Sequence, residues 1–244
     1  MKDTLNTIYV GFFFTLYMIF SGILLIPLLI LSIPGLEKPF IHFTHWTTST
    51  WGRYTFCINR SKMTVIGRGN LPDHKRIIYI GNHQGYADIP FLMAAMPTTI
   101  GFIAKRELGK VPVMGLWMKG IHCIFLDRGN FRKAMREIEE GIAEALEGHP
   151  KVIFPEGTRS RSSKMGPFKQ GSILLTAKAG LTIVPVTING TYRMYEEKKK
   201  IVPADLHLTI HPSIETEGMS EEERKELTGR LWKIIAGALP NHGK

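Results

Sequence analysis

The chain has 244 residues, of which 44% are apolar, and it carries a formal net charge of +10 at pH 7. This length suits one large domain or two small ones, and the apolar content is ample for a packed core. The two cysteines, Cys57 and Cys123, lack metal-binding spacing, so we expect free thiols in a reducing compartment and no disulfide. Because most of the excess positive charge follows residue 60, the body of the protein is expected to meet nucleic acid, an anionic membrane face or phosphorylated substrates.

The first predicted element is a long apolar segment near the start of the chain. No charged residue occurs from Thr4 to Leu36, and the stretch from Ile8 to Ile33 is apolar almost throughout. This stretch exceeds the roughly 20 residues that a helix needs to cross a bilayer. A cleaved signal peptide fits poorly, because the apolar region is too long and the basic region before it is nearly missing. We therefore predict that this segment inserts into a membrane.

A second, moderately apolar segment runs from Phe40 to Phe56 and carries Trp46, Trp51 and Tyr54, whose rings favour the headgroup level of a membrane. Two layouts fit the pair of segments. One is a spanning helix followed by an interfacial helix, and the other is a helical hairpin that dips into one leaflet and returns. The alternative for the second segment is a soluble helix packed on the core. In either membrane layout, the basic body lies on the cytoplasmic side.

Beyond about residue 60 the pattern changes to alternating strands and helices. We therefore divide the chain into a membrane-associating helical segment, 1–60, and an α/β domain, 61–244. Apolar residues recur at helical spacing in 131–145 and 227–238, the latter preceded by a capping box that starts at Ser220. The alternation predicts a largely parallel or mixed sheet flanked by helices. The β-rich runs are 63–66, 76–80, 99–104, 123–126, 152–154, 183–188 and 206–210.

The first motif is the sequence Gly-Asn-His-Gln-Gly-Tyr-Ala-Asp from Gly81 to Asp88. It follows the predicted strand 76–80, and sites in open α/β sheets usually lie just past the carboxyl ends of strands. Asp88 opens a short helical stretch, so the turn can fold its carboxylate onto the ring of His83. That contact would fix the tautomer and leave the other ring nitrogen free to take a proton. The alternative is a loop histidine satisfied by backbone, beside an aspartate that only caps a helix.

The second motif, Phe-Pro-Glu-Gly-Thr-Arg-Ser at 154–160, also follows a predicted strand. Gly157 lets the backbone approach a ligand closely, and successive N–H groups in such a turn form an anion-binding nest. Arg159 adds a planar fork suited to phosphate oxygens. Glu156 fits a phosphate-binding loop only if it orients the arginine or a substrate hydroxyl. The alternative is an ordinary solvent-exposed turn.

Further cations follow other predicted strands, with Lys105 after one and Arg128 after another. Since the carboxyl ends of parallel strands share one edge of a sheet, we expect Lys105, Arg128 and Arg159 to converge beside His83. The alternative for any one of them is an ordinary surface cation. A histidine base beside a phosphate site at a membrane indicates deprotonation of a hydroxyl on a phosphorylated amphiphile.

These motifs resemble the blocks of the glycerolipid acyltransferase family, and most of all its bacterial 1-acylglycerol-3-phosphate acyltransferases. The resemblance covers residues 63–214, and it implies an α/β acyltransferase fold that uses no metal and no cofactor. It also implies transfer of a fatty acyl group from a thioester to a glycerol hydroxyl, and it favours the membrane-embedded helical hairpin. The four blocks are Asn82-His83-x4-Asp88, Phe125-Leu-Asp-Arg128, 154–160 and Ile183-Val-Pro-Val186.

Residue by residue, the resemblance implies His83 as general base and Asp88 as the group that orients it. Lys105 is added to the phosphate site from its placement and from similar bacterial sequences. Gly85 departs from the pattern, since many members carry a small hydroxyl residue there, which affects a loop contact and not the His–Asp pair. The residues implied around the glycerol phosphate are Arg128, Glu156, Gly157, Thr158 and Arg159.

The predicted reaction is acylation of the free 2-hydroxyl of lysophosphatidate, which yields phosphatidic acid at the cytoplasmic face of the inner membrane. No serine or cysteine has the setting of a nucleophile, so we expect no covalent acyl-enzyme. The net charge suits acyl-CoA and acyl carrier protein equally as donors, and the pattern indicates no particular oligomeric state. The same chemistry on glycerol 3-phosphate or another lysolipid and a non-catalytic membrane lipid-binding protein remain alternatives. Nucleic-acid binding is disfavoured, because the cations gather around loops without a recognition helix or an aromatic platform.

Overall fold

A seven-stranded sheet forms the centre of the α/β part of the molecule. The computed structural model describes residues 1–127 and 129–240. All seven predicted strands are confirmed, with small shifts at their ends. The sheet order is β1-β7-β6-β2-β5-β3-β4. The strands are β1 Lys62–Ile66, β2 Ile77–Gly81, β3 Gly101–Lys105, β4 Ile124–Leu126, β5 Lys151–Ile153, β6 Thr182–Asn189 and β7 Asp205–Ile210.

The sheet is mixed, as the sequence allows. Strands β2 to β6 run parallel to one another, so their carboxyl ends share one edge. Strand β7 is antiparallel to β6, and β1 lies parallel to β7 on the outside. The predicted arrangement of a largely parallel or mixed sheet flanked by helices is therefore confirmed.

Both faces of the sheet are buried, which explains why the central strands are apolar without strict alternation. Tyr79 points into a cluster that includes Phe91 and Phe56. Its neighbours Ile78 and Ile80 point into a second cluster with Leu231. The helices of the α/β part are α4 Asp88–Ala95, α5 Met114–Gly120, α6 Phe131–Leu146, α7 Gln170–Lys178 and α8 Glu221–Gly237.

The N-terminal residues form a helical hairpin, with α1 at Lys2–Ile23, α2 at Leu25–Leu31 and α3 at Glu37–Ile58. The helix is interrupted between α1 and α2. Pro27 explains the interruption, because it has no N–H to donate to the preceding turn. By length and composition, the stretch Lys2–Leu31 is apolar enough to cross a membrane, and most of it is exposed.

Helix α3 packs against the α/β core through α4. Its buried side consists mostly of small residues at helical spacing, among them Thr44, Thr48 and Gly52. A Cβ atom at position 52 would collide with the backbone oxygen of Pro90, so the two helices touch at closest approach through a glycine. The structure thus shows a helical hairpin whose second helix packs on the core, as the alternative for that segment predicted of its packing. Entry of the hairpin into one leaflet of a membrane stays a prediction.

Candidate active site

His83 and Asp88 form the centre of the candidate site. His83 follows the end of β2, and Asp88 begins α4 after a short turn. The Nδ1 atom of His83 lies 2.6 Å from Oδ2 of Asp88. Asp88 is fully buried, whereas the side chain of His83 is 18% exposed. A carboxylate on Nδ1 places the proton there and leaves Nε2 as the proton acceptor.

The same carboxylate oxygen of Asp88 also organises the loop that carries the histidine. It accepts hydrogen bonds from the backbone N–H groups of Gln84 (2.7 Å) and Gly85 (3.0 Å). Three donors on one oxygen hold the carboxylate, the loop and the imidazole ring in fixed positions relative to one another. Asp88 is therefore more than a helix-capping residue.

The imidazole ring of His83 stacks on Phe154, the first residue of the second motif. The ring centroids are 4.2 Å apart and the planes differ by 11°. With one edge held by Asp88 and one face held by Phe154, the ring has a defined plane. Such a ring holds its free nitrogen in a fixed direction.

Glu156 joins the two motifs through backbone. Its carboxylate accepts from the N–H of His83 (2.7 Å) and from the N–H of Gly166 (2.8 Å). Burial raises the pKa of the Glu156 carboxyl, in opposition to these bonds. The backbone N–H of Ser160 in turn donates to the carbonyl of His83 at 2.8 Å. In this structure Glu156 binds the backbone of the His83 loop and of Gly166. Arg159, which the sequence offered as one of its two partners, is not bound by it.

Arg159 is held by two groups outside its own motif. Its guanidinium carbon lies 3.5 Å from the ring centroid of Tyr86, and one terminal nitrogen donates to Oε1 of Glu196 at 2.9 Å. The position of Glu196, 37 residues along the chain from Arg159, offers no local sequence signal. Sequence reasoning missed both partners.

The remaining predicted phosphate-site residues are spread over the same edge of the sheet. Gly157 has a φ of 72°, which favours glycine in its turn, and Thr158 is exposed beside it. Lys105 ends β3, is more than half exposed and pairs with Glu107 at 3.2 Å. Arg128 lies outside the described residues. The contacts therefore bring His83, Asp88, Glu156 and Arg159 together, and they do not include Lys105.

A cavity of about 610 Å³ opens beside the second motif. Hydroxyl groups, lysines and Glu156 supply its polar lining, and Met165, Pro167 and Phe168 supply an apolar part. Its lining includes Thr158, Ser160, Ser162, Lys164 and Lys169. Among residues 1–127 and 129–240, no group of three or more His, Cys, Asp or Glu side chains is placed to hold a metal ion.

The sequence model of the Acyltransferase family matches residues 62–189, which contain both motifs. The chain belongs to this family. A protein of Borreliella burgdorferi named 1-acyl-sn-glycerol-3-phosphate acyltransferase is 31% identical over 68% of the chain and 67% of its own length. One of the same name from Chlamydomonas reinhardtii is 30% identical over 73% of the chain, but only 53% of its own length is covered.

A solved structure resembles nearly the whole chain. It is the 1-acyl-sn-glycerophosphate (LPA) acyltransferase PlsC from Thermotoga maritima, with 29% identity and a TM-score of 0.83. The alignment covers 96% of this chain and 93% of that one. The family resemblance and the fold class predicted from the sequence are both confirmed.

Proposed function

We propose that this acyltransferase moves a fatty acyl group from an acyl thioester to the 2-hydroxyl of 1-acylglycerol 3-phosphate and so makes phosphatidic acid for phospholipid synthesis. The observation that carries the proposal is the contact of 2.6 Å between His83 and the buried Asp88. The names of the relatives and the likeness to the Thermotoga enzyme support the choice of acceptor.

In the proposed mechanism, Nε2 of His83 takes the proton of the 2-hydroxyl while that oxygen attacks the thioester carbonyl. The tetrahedral intermediate then collapses, the carbon–sulfur bond breaks, and the imidazolium returns its proton to the leaving thiolate. Asp88 stabilises the imidazolium between these steps. The reaction needs no cofactor beyond the acyl donor, for which acyl-CoA and acyl carrier protein both fit.

Direct attack by the acceptor is favoured over a covalent acyl-enzyme, because neither cysteine is set as a nucleophile. Cys123 is buried, and burial raises the pKa of its thiol to about 12. Cys57 lies on α3, in the N-terminal hairpin. A thiol must ionise to act as a nucleophile.

The tetrahedral oxyanion requires hydrogen-bond donors, and the loop of the first motif has few to offer. The N–H groups of His83, Gln84, Gly85 and Tyr86 all donate to carboxylates. In the described part of the chain, the backbone N–H groups at positions 158 and 159 have no hydrogen bond. We therefore propose these two donors for the oxyanion, in the turn that Gly157 shapes.

The phosphate of the acceptor is proposed to bind at the same edge, where Arg159 supplies the charged fork. The predicted cations Lys105 and Arg128, with Glu156, Gly157 and Thr158, stay in the proposal as the surroundings of that phosphate. Glu156 would act there by holding the two motifs together.

We further propose that residues 1–60 place the domain 61–244 on the cytoplasmic face of the inner membrane. The exposed apolar side of α1 supports this, since soluble monomers rarely expose a contiguous apolar patch that runs along a whole helix. Its exposed residues include Leu5, Ile8, Phe12, Leu16, Ile19, Phe20 and Ile23.

The test is acyl transfer from a labelled thioester by purified protein in detergent, with lysophosphatidate and glycerol 3-phosphate offered in competition. Labelled phosphatidate is the expected product, and it should disappear in Asp88→Ala. Product from glycerol 3-phosphate alone would keep the chemistry and change the acceptor. Parallel assays with acyl-CoA and acyl carrier protein identify the donor. Retention of full activity in Asp88→Ala would contradict the mechanism.

A further inference from the structure

Glu196 is a buried carboxylate beside the site that lies beyond the segment matched to the family. Among the described residues, the buried acids are Asp88, Glu156 and Glu196. The first two belong to the motifs. Glu196 follows β6 and a 3-10 helix at Thr191–Met194, and its side chain is 2% exposed. A buried carboxylate is costly unless its partners are strong, so its contacts indicate what it does.

One oxygen of Glu196 accepts hydrogen bonds both from Arg159 and from Tyr86, whose ring contacts the Arg159 guanidinium. Oε1 accepts from the backbone N–H of Tyr86 at 2.8 Å and from Arg159 at 2.9 Å. The ring of Tyr86 lies against the face of the same guanidinium at 3.5 Å. Arg159 is thus held on its face and at one nitrogen, and its other N–H groups remain for a ligand.

The segment that carries Glu196 is itself attached to the first motif. Gly190, with a φ of 96°, donates its N–H to Oε1 of Gln84 at 2.9 Å. Thr191 donates its hydroxyl to the same oxygen at 3.3 Å. Gln84 therefore holds the start of this segment and Glu196 holds its end, so the carboxylate has a fixed position relative to His83.

Gly85 provides the space that Glu196 occupies. A Cβ atom built on Gly85 would lie 2.5 Å from Oε2 of Glu196 and 2.8 Å from its carboxyl carbon. A residue with a side chain at position 85 would force the carboxylate to move. The glycine that departs from the family pattern is thus matched to the glutamate.

We propose that Glu196 is a positioning residue that orients Arg159 toward the phosphate of the acyl acceptor. This inference rests on the proposed function, because it takes Arg159 as the phosphate ligand. The charge of Glu196 alone would act in the opposite direction, since a carboxylate repels a phosphate and weakens the field of the arginine. If orientation matters, removing the carboxylate raises the KM for lysophosphatidate. If only the charge matters, removing it lowers that KM.

The first experiment compares wild type, Glu196→Ala and Glu196→Gln in steady-state acylation of lysophosphatidate. Loss of one charge-assisted hydrogen bond corresponds to a rise in KM of roughly tenfold to a hundredfold for Glu196→Ala, with a smaller change in kcat. Glu196→Gln keeps an acceptor oxygen and should hold KM close to that of wild type. A lower KM in both variants would mean that only the charge matters and would overturn the proposal.

A second acceptor separates positioning from general damage. Monoacylglycerol carries the hydroxyl without the phosphate, so its weak acylation should be the same in Glu196→Ala and wild type. Equal losses on both acceptors would overturn the proposal in favour of a structural role. Glu144→Gln is the matched control, since Glu144 also pairs with a cation, Lys151 at 2.6 Å, but at the opposite edge of the sheet.

Gly85→Ala tests the same idea without changing any charge, and it serves if Glu196→Ala does not fold. It should raise KM for lysophosphatidate by displacing the carboxylate, and adding Glu196→Ala should produce no further rise. Additive effects, or an unchanged KM in Gly85→Ala, would overturn the proposal. Phosphatidate formation by wild type is measured first. Failure of the proposed function is then seen independently of the KM differences between the variants.

Discussion

The two edges of the parallel strands use acidic side chains in different ways. At the carboxyl edge, Asp88, Glu156 and Glu196 accept hydrogen bonds from backbone N–H groups of the first motif. At the amino edge, Glu144 of α6 accepts from the ammonium of Lys151, the first residue of β5. The acids of one edge hold loops, and the acid of the other edge neutralises a buried cation.

The amino edge forms a self-contained charge cluster. Lys151 is 1% exposed, and the rings of His122 and His149 stack with centroids 3.8 Å apart. Although burial opposes ionisation of Glu144, the ring of His122 at 3.6 Å and the hydrogen bond from Lys151 at 2.6 Å lower its pKa to about 2. Burial lowers the pKa of Lys151 in turn. The charges at this edge satisfy one another, so the cluster serves stability.

At the carboxyl edge, backbone N–H groups bind most of the carboxylate oxygens. The ring of His83 and part of the Arg159 guanidinium stay available to a ligand. Free donors and acceptors in fixed positions are what an active site requires, because no reorganisation is then needed during the reaction. We therefore propose that the carboxyl edge serves the reaction and that the amino edge serves folding. Four substitutions test that separation.

The largest effect is expected for His83→Ala. Loss of the general base should lower kcat by about 10²- to 10⁴-fold and leave the melting temperature nearly unchanged. His149→Ala, which removes a histidine from the amino edge, is the control and should keep kcat. Steady-state kinetics and a thermal melt of both variants give the answer, and equal kcat in the two variants would contradict the assignment.

Lys151→Met should show the reverse pattern. Removing the cation leaves Glu144 half-buried without its partner, so we expect a loss of about 3 kcal/mol in the free energy of unfolding, at the low end for broken buried pairs. The KM for lysophosphatidate should not change. Denaturant unfolding beside kinetics measures both quantities. A raised KM in a variant of unchanged stability would contradict the separate roles of the two edges.

Arg159→Lys is expected to have a smaller effect on the reaction. A lysine keeps the charge but cannot bond Glu196 and a phosphate with one planar fork. We expect KM for lysophosphatidate to rise by about tenfold, with kcat changed less. Arg230→Lys, at an exposed position on α8, is the control for the same substitution elsewhere and should leave KM unchanged. An unchanged KM would remove Arg159 from the phosphate site.

The smallest expected effect is the pH-dependent loss of thermal stability in Glu144→Gln. A carboxyl group whose pKa is lowered on folding adds stability above its unfolded pKa of about 4.3. That contribution is lost as the pH falls through the folded pKa of about 2. Glu144→Gln should therefore melt below wild type at pH 7, and the difference should shrink toward pH 2. A difference in melting temperature that does not depend on pH would show that ionisation of Glu144 beside Lys151 adds nothing to stability.

Local patterns were enough to predict most of the fold. The seven strands, the turn from His83 to Asp88 and the capping box of Ser220 and Glu223 depend on neighbours within a few residues, and the structure confirms each. Helix α7 was not predicted, because small polar residues such as Ser172 and Thr176 are buried among its apolar ones and no clear stripe results.

The site was less predictable where tertiary contacts decide. Glu156 was expected near a ligand hydroxyl or an arginine, but one of its backbone partners, His83, lies 73 residues away along the chain. Nothing near Arg159 in sequence indicates Glu196 or Tyr86 as its neighbours. The convergence of Lys105 with Arg159 stays a prediction, since the contact seen for Lys105 is with Glu107.

The close packing of α3 on α4 limits how this enzyme can be made soluble in water. Truncation at residue 60 would remove Phe56, whose ring lies 5.9 Å from that of Phe91, and would uncover the helix that begins at Asp88. Polar replacements on the exposed side of α1 leave that contact intact. Detergent-free preparations are therefore best sought by redesigning α1 while α3 is kept.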